Sequence, residues 1–494
     1  MTRERRNKRA ICCGGARNAR GLRALARPVG AAVMALGLWT QAASGAALGL
    51  AAHEKKTLKN GLTVLLLEKH NVPLVSFCLV VKAGSAADPA GQAGLASLTA
   101  GLLRKGTKAR TAQQFAADLD FTGGEFEAEA GKDLSVVSAE FMSKDLNTGL
   151  ELFSDALLHP VFPREEVDKL LRQALEGVKA EKDEAQGVLG TYYNAYLFPG
   201  HPYGRPVDGD EESLARIKRE AIVKFYETYY TPGNAILAVS GDFSAADMEK
   251  RLEETLGSWE GKTPEGAALP AASPVRGRRL LLVDKPDATQ TFFAIGNVGV
   301  TRNDPDRVAI RVVNTIFGGR FTSMLNESLR VKSGLTYGAR SGFEGLKEPG
   351  PFAIYSFTRN DTTVKAIDLA LQVLEDLHQS GVTKEQLASA QNYLKGQFPP
   401  SVETSGQLAN LLAVNEFYGL DDREVNDFEA RVDAVTLEEA RRVIARHFPL
   451  DNLVFTLIGK AADIRAGVAK YAAQLDVTEI AAPGFWPPAP PPEK

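Results

Sequence analysis

The chain has 494 residues, 44% of them hydrophobic and 24% charged, a balance that fits a folded globular protein and excludes a disordered or fibrous one. That length exceeds what one hydrophobic core organises and implies roughly two to four domains. No apolar run reaches the roughly 18 residues of an uninterrupted membrane span.

The N-terminus differs from the rest. Residues 1–46 carry nine basic side chains (Arg3, Arg5, Arg6, Lys8, Arg9, Arg17, Arg20, Arg23 and Arg27) against one acid, Glu4. An apolar stretch, Val29 to Trp39, follows and ends in the small residues Ala42-Ala43-Ser44-Gly45-Ala46. That order predicts a secretory signal peptide, and with it a periplasmic or secreted protein; the plain alternatives are a mis-assigned start codon or a basic tail. Cys12 and Cys13 precede the apolar stretch, where a lipoprotein cysteine would follow it. Cleavage near Ala46 removes nine of 58 basic and one of 61 acidic residues, leaving a net charge of −11. A body that acidic is a poor partner for nucleic acid. It also keeps a single cysteine, Cys78, which precludes an internal disulfide and reads as a small buried hydrophobe.

Beyond the leader the chain reads as two halves of one plan. The first, residues 53–260, opens with a strand, the turn Asn60-Gly61 and a second strand to Leu67, then a third strand over Leu74–Val81. Helices are expected at Gly94–Leu103 and 112–120, strands near Glu125–Ala130 and Leu134–Phe141, and a helix over about 143–158. Apolar residues at Val167, Leu170, Leu171, Ala174, Leu175 and Val178 recur every 3.6 positions and predict a helix over 164–182. A buried strand, Asn234–Val239, and a helix at 245–256 close this half.

Residues 261–277, rich in Gly, Pro and Ala, read as a linker. The second half, 278–480, has expected strands at 279–284, 290–296, 336–343 and 351–357 and helices at 305–317, 321–330, 362–379 and 384–396, with further helix before a late strand at Asn452–Ile458. The echo between Ala238-Val239-Ser240-Gly241-Asp242 and Thr456-Leu457-Ile458-Gly459-Lys460 marks the repeat most clearly. Strands mixed with helices without βαβ alternation argue for α+β. Residues 481–494 form a Pro-rich tail, expected from Pro483 onward to be flexible.

Gly84-Ser85-Ala86-Ala87-Asp88, the run Gly94 to Thr107, Phe121-Thr122-Gly123-Gly124, His201-Pro202-Tyr203-Gly204 and Tyr230-Thr231-Pro232-Gly233-Asn234 together resemble the M16 (insulinase, processing-peptidase) family. In the second half so do Gly318-Gly319-Arg320-Phe321-Thr322-Ser323 and Leu329-Arg330 through Gly334-Leu335-Thr336-Tyr337. The resemblance covers about residues 53 to 465 and implies two LuxS/MPP-like α-β halves. An active member carries H-x-x-E-H, whose imidazoles four residues apart share one helical face and grip zinc while the glutamate serves as base. Here those positions are Ser97, Ala100 and Gly101, and the family's third ligand, a later glutamate, falls on Gly177. Glu176 is adjacent but turned about 100° away. Independently of the resemblance, the histidines (His53, His70, His159, His201, His378, His447) include no pair at a short metal-ligand spacing. His201, within its His-Pro-Tyr-Gly loop, reads as structural.

The resemblance also implies a site that survives. Some two-subunit members divide the labour, one subunit holding zinc and the other contributing an Arg/Tyr pair, and Arg330 and Tyr337 match that pattern. A guanidinium and a phenol converging there would bind a substrate carbonyl and stabilise an oxyanion. From residue types alone, Arg330 could equally cap its helix or pair with Glu327, and Tyr337 could pack at a strand start. Gly318-Gly319-Arg320-Phe321 lacks the Lys-Ser/Thr of a phosphate loop and reads as a helix-joining turn. The strand Thr289–Gly296 is a candidate exposed edge for an extended peptide, or else an interior strand.

The expectation is therefore a zinc-less subunit, binding no cofactor itself, paired with an H-x-x-E-H partner that carries zinc and acting on peptides. The alternatives are a non-catalytic peptide-binding or structural subunit, and an autonomous metallopeptidase with relocated ligands.

Overall fold

Period-two burial along Ser135–Met142 and continuous burial along Ala235–Gly241 and Val454–Gly459 already separate strands with one covered face from strands covered on both. A computed structural model describes residues 49–264 and 269–486, so the expected signal peptide and the end of the tail lie outside it. The first half builds a six-stranded sheet from β1 (Glu54–Thr57), β2 (Thr63–Glu68), β3 (Leu74–Val81), β4 (Glu125–Ala130), β5 (Ser135–Met142) and β6 (Ala235–Gly241), in the order β1-β2-β6-β3-β5-β4. The second builds another from β7 (Arg279–Asp284), β8 (Gln290–Val298), β9 (Ala339–Phe343), β10 (Pro351–Arg359), β11 (Val454–Gly459) and β12 (Gln474–Glu479), in the order β12-β7-β11-β8-β10-β9.

The two sheets repeat one another. β2 and β6 run parallel, as do β7 and β11, and the remaining shared pairings are antiparallel in both. The echoed segments are thus the equivalent strands β6 and β11. Each sheet adds a strand of its own, β1 antiparallel to β2 and β12 parallel to β7. The fold is α+β with two homologous halves. No helix among the described residues is long and apolar enough to cross a membrane.

The halves exchange helices. Helix Ala185–Leu197 of the first lies across β8 and β11 of the second, and helix Ser405–Tyr418 of the second lies across β3 and β6 of the first. Each buries a broad face against the other half's sheet and keeps a few polar residues, Gln186 in the first and Gln407 and Asn410 in the second, exposed. The first keeps its tyrosine hydroxyls satisfied on the far half: Tyr193 donates to the Phe352 carbonyl at 2.7 Å and Tyr196 to Asp476 at 2.6 Å. The second begins at a capping box between Thr404 and Gln407. Beneath it lies Cys78, buried, its thiol pushed up to about 12 by loss of water.

Of the two readings of Thr289–Gly296, the interior strand is the one observed, since β8 is flanked by β11 and β10; the outermost strands on that side of the two sheets are β9 and β4. One expectation needs correction. The tail, expected to be flexible from Pro483, is anchored as far as described: Phe485 is 2% exposed and packs edge-on against Tyr192. Lys182 reinforces that anchor, donating to the Ala482 carbonyl at 2.8 Å and to Glu211 at 2.5 Å.

Candidate functional site

Helix Leu95–Leu102 carries the first three degenerate positions, and Gly177 lies on the neighbouring helix Arg164–Asp183. The first helix is set by Asp88, which accepts the N–H groups of Gly94 and Ala96 at 2.9 Å each. Burial pushes that carboxyl up to about 7, against the opposing pull of the backbone donors. Ser97 donates to Asp208 at 2.6 Å. Ala100 is a buried methyl, and a Cβ at Gly101 would meet Leu170 of the second helix at 3.4 Å. At Gly177 a side chain would point into open space. Its neighbour Glu176 is exposed and bonded to Lys179 at 2.9 Å. His201 is held as a loop element, its Nε2 toward the Pro270 carbonyl at 2.8 Å and its Nδ1 accepting the Tyr203 N–H at 3.0 Å.

Arg330 occupies a different setting. Helix Arg307–Phe317 ends at Gly318, where a side chain would fall on the backbone of Ser341 in β9. The turn Gly318-Gly319-Arg320-Phe321 joins that helix to the short one at Met324–Asn326, as its sequence suggested. Asn326 then ties the turn to the sheet, donating to the Phe321 carbonyl at 2.7 Å and accepting from Ala339 N–H at 3.3 Å. The chain continues as a π-helical turn, Glu327–Lys332, and reverses at Gly334, whose φ of +64° disfavours any side chain.

Arg330 sits on that π turn and lines a groove of about 380 Å³ between β9, β10 and the crossing helix Ala185–Leu197. Its guanidinium lies 4.6 Å over the ring of Phe321, itself 62% exposed. Glu327 pairs with Lys332, at 3.7 Å, and not with Arg330. Tyr337 is 78% exposed, outside the groove, on a loop held from beneath by Thr358, which donates to the Leu335 carbonyl at 2.7 Å. Arg330 and Tyr337 therefore flank the turn at Gly334 without a hydrogen bond between them. Arg330 lines the groove and Tyr337 stands in solvent outside it.

Two groove residues escaped the sequence reading. Arg320 was visible only as part of a turn, and Arg340 only as a residue inside the expected strand 336–343; both line the groove. Deeper in the groove is Tyr355, its phenol pushed up to about 12 by burial.

Among the described residues one group of metal-ligating side chains comes together, Asp304, Asp306 and His447. Asp306 is already engaged by Arg442, at 2.6 and 2.9 Å, and by His447 at 2.8 Å. Those partners hold its carboxyl well below the usual carboxylate range, Arg442 foremost. A cation there would face a guanidinium, so the group is an ion-pair network.

Two family descriptions match the chain in tandem, "Insulinase (Peptidase family M16)" over residues 63–211 and "Peptidase M16 inactive domain" over residues 216–394. Uncharacterized zinc proteases of Streptomyces coelicolor and Bacillus subtilis are similar at 26% and 23% identity. The matches span 80% and 83% of this chain and 87% and 99% of theirs. The crystal structure of a peptidase M16 inactive domain from Pseudomonas fluorescens is 26% identical with a TM-score of 0.78, over 83% of this chain and 98% of that one. A protease from Helicobacter pylori shares the fold, with a TM-score of 0.75 over 82% and 99% of the two chains. The chain belongs to the M16 peptidase family.

The zinc that the family implies does not fit the residues present. One hydroxyl already bonded to Asp208, a buried methyl and two glycines offer neither imidazole nor carboxylate.

Proposed function

We propose that this chain is the zinc-less subunit of a two-chain M16 peptidase, working in the periplasm on peptides cleaved with a partner that carries H-x-x-E-H and the metal. One observation carries the proposal: the zinc positions hold Ser97, Ala100, Gly101 and Gly177, while Arg330 keeps its guanidinium free of carboxylates at the mouth of an open groove. The basic and apolar leader of residues 1–46 supports export.

In that role Arg330 acts through its N–H fork. Stacking on Phe321 fixes the plane of the guanidinium and leaves its outer edge available. A peptide carbonyl lying against the β9 edge would accept from it, and the bond strengthens as negative charge builds on that oxygen during attack by water. Tyr337, extended into solvent, would close on the same peptide from the other side of Gly334. In this reading the partner supplies the chemistry that activates the water.

The test is reconstitution. The purified chain is mixed with an H-x-x-E-H subunit, and peptidase rates are compared for wild type, Arg330→Ala and Tyr337→Phe, with assembly followed by size-exclusion chromatography. Each substitution is expected to lower the rate at least roughly tenfold with assembly intact, the usual effect of losing an oxyanion donor. Unchanged rates in an intact assembly would instead support a structural or peptide-holding subunit.

A further inference from the structure

The groove that holds Arg330 contains two more arginines with no assigned role. Each of the three is held against an aromatic ring: Arg330 over Phe321 at 4.6 Å, Arg340 over Tyr355 at 5.5 Å and Arg320 over Tyr393 at 5.8 Å. None makes an ion pair among the described residues, and the groove lining includes no aspartate or glutamate. Arg320 spends one nitrogen on Ser389, at 3.0 Å, but its Nε is buried with no acceptor.

Residues 47–494 carry a net charge of −11, so acceptors for arginine are abundant elsewhere in the chain. Buried donors ordinarily find partners, and the Arg320 Nε has none among the described residues. Three stacked guanidiniums have lost little freedom to lose further, and each keeps a planar fork shaped for two oxygens. A volume of about 380 Å³ admits one or two residues of an extended chain and no folded domain. β9 is the outer strand beside it, but its outward main-chain groups are already taken: Ser341 N–H by the Gly318 carbonyl, the Ser341 carbonyl by Asn314 and Ala339 N–H by Asn326. Recognition therefore falls to the arginine side chains.

We infer that this groove selects peptides carrying a carboxylate, which Arg320 and Arg340 seat so that Arg330 meets the neighbouring carbonyl. The assignment of a peptide rests on the subunit role proposed above; the anion preference rests on the groove alone. An Asp or Glu side chain and a peptide C-terminus are two sources of that one chemistry.

Binding to the full chain without any partner tests the inference separately from the subunit role. Fluorescence anisotropy at low salt would compare three labelled octapeptides: one with a central Glu and an amidated C-terminus, the same with Gln, and the Gln peptide with a free C-terminus. At least one carboxylate-bearing peptide is expected to bind roughly tenfold or more tightly than the neutral one, the scale of one charge-assisted hydrogen bond. Which of the two does so identifies the source. Arg320→Gln and Arg340→Gln should each abolish most of that preference, while Glu127→Gln on β4 should leave it unchanged. Arg340 is exposed, so its substitution carries the test even if the Arg320 variant proves unstable. Equal affinity for all three peptides, or a preference that survives Arg340→Gln, overturns the inference. Either result leaves the reconstituted rates with Arg330→Ala to stand or fall by themselves.

Discussion

Two grooves occupy equivalent places in the two halves and carry opposite charge. In the second half, β8, β10, the edge strand β9 and the helix Ala185–Leu197 enclose about 380 Å³ lined by Arg320, Arg330 and Arg340. In the first, β3, β5, the edge strand β4 and the helix Ser405–Tyr418 enclose about 400 Å³ lined by Glu125, Glu127, Glu129 and Glu140. None of these glutamates forms an ion pair among the described residues; Glu140 accepts instead from Ser76 at 2.5 Å. The backbone plan is common to both, so it cannot be what sets their chemistry. Outward positions on an edge strand contribute little to the core, and there a repeated fold is free to diverge.

The most severe way to break the comparison is to separate the halves, because each groove is walled by a helix from the other. A fragment of residues 49–277 would expose Leu65, Leu67, Cys78, Val80, Ile236 and Ala238, all buried in the intact chain on the sheet face crossed by Ser405–Tyr418. Full burial of a single large apolar side chain is worth about 1.5–3 kcal/mol, so losing this face exceeds an ordinary domain's margin of stability. Thermal denaturation of the fragment followed by circular dichroism should therefore show no cooperative transition. A sharp one would mean the halves are independent and the exchanged helices incidental.

A smaller effect should fall on one half alone. Asp306 stands at the start of the helix Arg307–Phe317, which leads into the Gly318-Gly319 turn beneath the arginine groove. Replacing it with alanine removes the acceptor shared by Arg442, Arg446 and His447 and is expected to lower the midpoint of urea unfolding. The pH dependence follows from the lowered carboxyl. The stabilisation is complete above the unfolded Asp value of about 4 and declines as pH falls through and below it toward the depressed folded value. The gap between wild type and Asp306→Ala should therefore narrow between pH 6 and pH 3. A gap that is constant over that range would show that the charge pairing contributes nothing.

The repeat itself was legible because β6 and β11 are buried on both faces and read as apolar runs ending in glycine. Gly334 was legible as a turn, and the lost zinc positions needed only residue types. The exchanged helices were harder to see. Ala185–Leu197 replaces a helical stripe with small residues and tyrosines whose hydroxyls bond to the other half, so its sequence shows no amphipathic period. β12 is a short edge strand with only two apolar residues, Leu475 and Val477, too few to set it apart from a polar tail. Arg320 and Arg340 gain meaning only from the absence of carboxylates around them, and that is a property of three dimensions. The same holds for the loop geometry that turns Tyr337 outward, away from the groove containing Arg330.

The central claim is that this chain lacks a metal site of its own and contributes the other part of an active centre. Its most direct test is the zinc content of the purified protein after equilibration with zinc and removal of the unbound ion. The expected result is far less than one zinc per chain, together with no peptide hydrolysis until an H-x-x-E-H subunit is added. One tightly held zinc per chain, with hydrolysis by the chain alone, would contradict it.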